Sequence, residues 1–169
     1  GLAVTIVKDG QEIFNKGYGV EQIGEPVPMT PKSLSAIGSL TKSMTAMAIM
    51  QLAEGGKLTL EDPVILHLPE FRTANKDESD QITIRMLLNN TSGLQGGVSS
   101  MHDDPEIAME LLLESLQTVY LTVDPGTTYE YSNAGFSIAG LIISRLTGMS
   151  YCTYMNEYIF GPLDMTHTI

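Results

Sequence analysis

The chain has 169 residues, enough for one ordinary domain with a buried core. At 43% hydrophobic and 17% charged it has a globular rather than a disordered composition. Nine Lys+Arg against 20 Asp+Glu leave a net charge of −11, which repels phosphate backbones and anionic lipid and speaks against nucleic-acid or membrane-surface partners.

The chain opens on an apolar segment without a signal peptide. Leu2 to Lys8 and Gln11 to Val20 flank Asp9-Gly10, a pair that favours the positive φ values of a type I′ turn, so residues 1–20 read as a β-hairpin. A loop with Pro26, Pro28 and Pro31 follows. Ser39 to Glu54 reads as a helix, with Met44, Met47, Ala48 and Leu52 at helical spacing and Gly55-Gly56 as its stop. A short helix is expected from Asp62-Pro63 through Leu68, with Asp62 as N-cap, and another from Thr83 to Asn89.

Asp104-Pro105 starts a helix to about Leu116, with Ile107, Leu111 and Leu112 inside. Thr128 to Tyr131 reads as extended, and Asn133 stands where a helix N-cap would, before a helix from Ala134 to Thr147 that stops at Gly148. The apolar run within it, Ala134 to Ile143, holds Ser137 and two glycines and is too short to span a bilayer. A last helix is expected from Ser150 to Phe160, with Cys152, the single cysteine, as a small buried hydrophobe. His67, His102 and His167 are far apart in no ligand spacing, and no metal is expected.

Strand signal is thus confined to the first twenty residues, and residues 21–169 read as a helical lobe. A lone hairpin has two open edges that call for a partner.

Two groups of residues can do chemistry. In Ser39-Leu40-Thr41-Lys42, positions three apart on a helix share a face, so the lysine amine can reach the serine hydroxyl. The helix start favours negative charge on the serine oxygen, and burial among Thr45 and Ala46, with Met44 and Met47 close by, would push the amine toward a usable base. Yet 13 serines and 6 lysines produce about half a Ser-x-x-Lys match by chance, so the motif is weak alone. In Tyr131-Ser132-Asn133, two residues apart in an extended segment project to one side, offering a phenol for proton transfer and an amide for a carbonyl. A buried tyrosine followed by a capping asparagine explains the same letters.

The surroundings add to both. Ser39-Leu40-Thr41-Lys42 runs on to Gly55-Gly56-Lys57-Leu58 and Glu61-Asp62-Pro63-Val64. Leu87-Leu88-Asn89-Asn90-Thr91-Ser92-Gly93-Leu94 follows, then Pro125-Gly126 with Tyr129-Glu130-Tyr131-Ser132-Asn133-Ala134-Gly135-Phe136, and Ile159-Phe160-Gly161-Pro162-Leu163-Asp164-Met165 closes the series. In that order and at those intervals the whole chain resembles the class C β-lactamase-like family of the serine β-lactamase and penicillin-binding-protein superfamily. The family's N-terminal half is the part matched.

The resemblance implies an α+β fold of the β-lactamase/DD-peptidase type, with an antiparallel sheet beside a mainly helical lobe and the active site between them. Residues 1–169 would form a single partial domain of it. The resemblance also makes Ser39 the acylated serine, Lys42 its paired lysine, Tyr131 the tyrosine of the Tyr-x-Asn motif and Asn133 its substrate-binding asparagine. It further implies a small-molecule or peptide substrate, no cofactor, and a periplasmic or extracellular setting. In two places the chain departs from the pattern. Asn90 replaces the histidine usual before Thr-Ser-Gly-Leu, a structural turn where the change is expected to be tolerated. The third motif, Lys-Thr-Gly or His-x-Gly on a later strand, is absent, and Ile169 falls about halfway through a typical member. The other half would complete the sheet and supply one oxyanion-hole N–H. Three functions fit at this stage: acyl transfer to a lactam, amide or ester carbonyl through Ser39; penicillin binding or sensing without turnover; and a fragment that needs its C-terminal half.

Overall fold

The computed structural model describes residues 1–96 and 102–168, in two compact units, Gly1–Gly38 and Ser39–Ile169. The first is built on β1 (Leu2–Lys8) and β2 (Gln11–Tyr18), paired antiparallel from Leu2↔Tyr18 to Lys8↔Gln11, with an irregularity at Ile6/Val7. Asp9 (φ 51°) and Gly10 (φ 74°) both take the positive φ that a type I′ turn demands, as the Asp-Gly pair predicts. Residues beyond β2 fold back on it. Met29 N–H donates to the Gly19 carbonyl (2.9 Å), Val20 bridges Pro28, and Gly17 lies so close to Met29 that a Cβ there would sit 2.1 Å from its carbonyl oxygen. Within this unit Leu2, Ile6, Val7 and Ile13 are exposed.

The second unit carries the core. A 3-10 turn, Gly38–Leu40, leads into α1 (Thr41–Glu54), followed by α2 (Val64–His67), α3 (Lys76–Ser79), α4 (Ile84–Leu88), α5 (Pro105–Leu116), α6 (Asn133–Thr147) and α7 (Tyr151–Met155). A π-helical turn, Asn156–Phe160, continues α7. The central element is α6, whose Ala134, Ile138, Ala139, Leu141, Ile142 and Ile143 are buried, and which packs against α1, α2, α4, α5 and α7. Gly140 permits that crowding. A Cβ there would meet the Met109 sulfur at 3.2 Å and the Tyr151 ring at 3.3 Å. Gly148, at φ 68°, ends α6 in the left-handed conformation that stops a helix.

Several sequence expectations are corrected. Asp62 does not cap α2, because Pro63 holds that position with an extended backbone. The Asp62 carboxylate instead accepts from the Thr59 N–H (2.9 Å), the Thr59 hydroxyl (2.7 Å) and His67 Nε2 (2.8 Å). Asn133 is not a cap but the first residue of α6, whose N-cap is Ser132, its hydroxyl accepting from Gly135 N–H at 3.2 Å. On α5 Leu112 is buried together with Leu113 and Leu116, whereas Ile107 and Leu111 are exposed. Cys152 is exposed, because α7 turns Tyr154 and Met155 inward instead. Helix α3, capped by Asn75, is an element the sequence reading does not contain, and Thr128–Tyr131, read as extended, lies outside the β1–β2 sheet. No helix among the described residues is long and apolar enough to cross a membrane.

Candidate active site

All four residues singled out from the sequence lie in the second unit, and they meet. Ser39 sits in the 3-10 turn and Lys42 in the first turn of α1, so one local geometry delivers both. Lys42 Nζ donates to Ser39 Oγ at 3.3 Å. Tyr131, 92 residues further along, brings its phenol into a short hydrogen bond with the same Ser39 Oγ. Asn133 closes the group, its Oδ1 accepting from Lys42 Nζ at 2.6 Å. The lysine amine carries only donors, so the oxygen end of the Asn133 amide must face it, and the NH2 end is left for another acceptor.

Two aromatic rings join the helix neighbours of the lysine that the sequence identifies. Its Nζ lies 4.7 Å from the centre of the Tyr131 ring and 5.6 Å from that of Phe136, and the side chain is half-buried. Aromatic faces attract a cation at such range. Phe136 was missed in the sequence, although it stands three positions after Asn133 on α6 and so shares its face. Ser39 and Tyr131 are exposed, Tyr131 at 42%. The amine of Lys42, first, and the hydroxyl of Ser39, second, hold the Tyr131 phenol below its ordinary pKa of 10.0, against a smaller opposing effect of burial.

Behind the cluster, one helical turn after Thr41, buried Thr45 shares a hydrogen bond of 2.7 Å with the Tyr151 phenol. That bond ties the first turns of α1 to α7. Burial, as the main cause, raises the Tyr151 pKa. The backbone around Tyr131 is held from a separate loop: Asn90, at φ 59°, accepts from Glu130 N–H (2.7 Å) with its carbonyl and from Ser132 N–H (3.0 Å) with Oδ1. Among the described residues no three His, Cys, Asp or Glu side chains gather as metal ligands would.

A helical unit with a Ser–Lys–Tyr–Asn cluster at the head of its first helix defines an α+β protein of the β-lactamase/DD-peptidase fold. The chain belongs to the Beta-lactamase family, whose model matches residues 1–169. It is 35% identical, over 99% of its length, to Protein flp of Staphylococcus aureus (strain COL), of which it spans 34%. Among solved structures it is similar to FmtA from Staphylococcus aureus, with a TM-score of 0.83 and 26% identity over 98% of this chain and 44% of that one. D-alanine carboxypeptidase AmpC from Burkholderia cenocepacia gives a TM-score of 0.76 and 28% identity, over 98% of this chain and 43% of that one. The chain therefore spans between a third and a half of the length of these relatives.

Proposed function

We propose that the protein is a serine hydrolase that forms an acyl-enzyme with a lactam, amide or ester carbonyl. The observation that carries this reading is the convergence of a lysine amine and a tyrosine phenol on one serine hydroxyl. Lys42 is delivered by the local turn that also holds Ser39, whereas Tyr131 reaches the same hydroxyl across 92 positions.

In this mechanism Lys42, acting with Tyr131, takes the Ser39 proton as the oxygen attacks the carbonyl carbon. The Ser39 N–H and the start of α1 stabilise the developing oxyanion, commonly the largest catalytic contribution. Tyr131 then gives the proton to the leaving group, and in the reverse sense activates water to release the acyl group. Asn133 orients the substrate with its free NH2 end. Membership of the Beta-lactamase family and the likeness to a D-alanine carboxypeptidase support this reaction class. The family resemblance supports a periplasmic or extracellular place of action.

The test is a panel of nitrocefin, a p-nitrophenyl short-chain ester and a D-alanyl peptide, run on the wild type and on Ser39→Ala. Turnover of at least one substrate is expected, lost in Ser39→Ala; a variant as active as the wild type would overturn the assignment.

The share of its relatives that the chain spans favours a second reading, in which residues beyond these 169 complete the site. The open edges of the two-stranded sheet are then where further strands of the protein, or a second copy, would pair. In that case this chain alone is acylated once and stops, as a penicillin-binding or sensing module would. A stoichiometric burst without a steady rate would distinguish it.

A further inference from the structure

Tyr131 lies outside the single two-stranded sheet found among the described residues, so no ladder holds its backbone. Its place opposite Ser39 needs another cause, because the next helix begins only at Asn133. Two hydrogen bonds reach the segment from one residue on a distant loop. The Asn90 carbonyl accepts from the N–H of Glu130 at 2.7 Å, and Asn90 Oδ1 accepts from the N–H of Ser132 at 3.0 Å. In extended backbone the N–H groups of residues i and i+2 share an edge, so the two bonds straddle Tyr131.

Asn90 thus uses its backbone carbonyl for one bond and its side-chain oxygen for the other. Asn90 adopts φ 59°, the left-handed region, which asparagine tolerates better than most residues. Its neighbours lock it there. Asn89 Oδ1 accepts from the Thr91 N–H (3.2 Å) and hydroxyl (2.7 Å), and the Thr91 carbonyl accepts from Gly126 N–H at 2.7 Å. Gly96 presses on the same segment, since a Cβ there would lie 2.5 Å from the Tyr131 carbonyl oxygen. The fixed position then passes onward, because Ser132, held by Asn90 at its N–H, caps α6 with its hydroxyl and so places Asn133.

We propose that Asn90 is the positioning residue for Tyr131, its two oxygens gripping the chain on either side of the tyrosine and so setting where the phenol meets the Ser39 hydroxyl. Asn90 is thereby more than a tolerated substitution in a turn. The kinetic consequence rests on the functional reading above, whereas the positional one does not.

Two variants separate this role from a merely structural one. Asn90→Gly keeps the left-handed backbone and the carbonyl bond to Glu130 but deletes Oδ1, and Asn90→Asp keeps an acceptor in the same place. The first readout is the titration of Tyr131 in protein carrying 13Cζ-tyrosine, its signal assigned with Tyr131→Phe. In Asn90→Gly the Tyr131 titration moves up toward an ordinary tyrosine, and in Asn90→Asp it returns toward the wild type. The second readout is Ser39 acylation by a fluorophosphonate, expected to slow by roughly 10- to 100-fold in Asn90→Gly and to recover in Asn90→Asp. A Tyr131 signal that titrates identically in Asn90→Gly and wild type, or one displaced equally in both variants, would overturn the proposal. Failure of the wild type to take up any acyl group sinks the functional reading alone, and the Tyr131 titration still decides the role of Asn90.

Discussion

The Lys42 amine and the Asn133 side-chain oxygen stand 2.6 Å apart, joining the first turn of α1 to the first residue of α6 across 91 positions. This bond aims the amine at Ser39. Without it the amine, on a long flexible stem, has several rotamers open to it. Asn133→Ala should therefore slow Ser39 acylation by about 10- to 100-fold, and Lys42→Ala by about 100- to 10,000-fold. Pre-steady-state acylation rates measure both.

The lowered pKa of Tyr131 sets a pH dependence. A phenol below its ordinary 10.0 loses its proton at a lower pH than free tyrosine does, so a reaction that uses the deprotonated form gains rate as pH rises through that lowered value. The acylation rate of the wild type should rise with an inflection below 10.0, and Tyr131→Phe should abolish that inflection. An inflection unchanged in Tyr131→Phe would assign it elsewhere.

The capping assignment can be read from stability. Ser132 is the N-cap of α6, so Ser132→Ala should cost about 1 kcal/mol. Asn133→Ala, at the first helical position, should lose much less stability while losing more activity. Urea unfolding of the two variants separates the roles.

Core packing around α6 makes a larger demand. Ile142 is fully buried, and Ile142→Ala should destabilise by about 2–5 kcal/mol through lost burial and the cavity left behind. The denaturation midpoint should fall with an unchanged slope.

Asp62 contributes to acid stability. The Thr59 hydroxyl and N–H, with help from His67, lower its pKa from 3.8 to about 2, so the folded state holds the carboxylate more firmly than the unfolded chain does. The contribution is present above pH 3.8 and disappears as pH falls through about 2. Relative to Asp62→Asn, the wild type should lose about 1–2 kcal/mol of advantage over that interval. Melting curves between pH 2 and pH 6 would show it.

Features set by neighbours in the chain were legible in the sequence. Asp9-Gly10 announced its turn because both residues accept positive φ, Gly148 announced a helix end, and the three-residue step from Ser39 to Lys42 announced a shared face. The meeting of Tyr131 with Ser39 came instead from the resemblance of the whole chain to a family, since no local rule links positions 92 apart. Illegible were choices between equivalent local partners. Ser132 and Asn133 are adjacent and both can cap, and Asp62 could cap α2 or bind Thr59 and His67. The burial of Cys152 failed for a related reason, because α7 is too short for periodicity to tell which residues face in. Asn90 looked like a loop substitution, and only the path of the segment around Tyr131 gives its side chain an office.

The central claim is that the Ser39 hydroxyl is the group acylated and that Lys42 activates it. Peptide mapping of the protein after exposure to a fluorophosphonate, with labelling rates compared in wild type and Lys42→Ala, tests both parts together. The account predicts a single adduct on Ser39, formed at least about 100-fold more slowly in Lys42→Ala. An adduct on any other residue, or equal labelling rates in the two proteins, would contradict it.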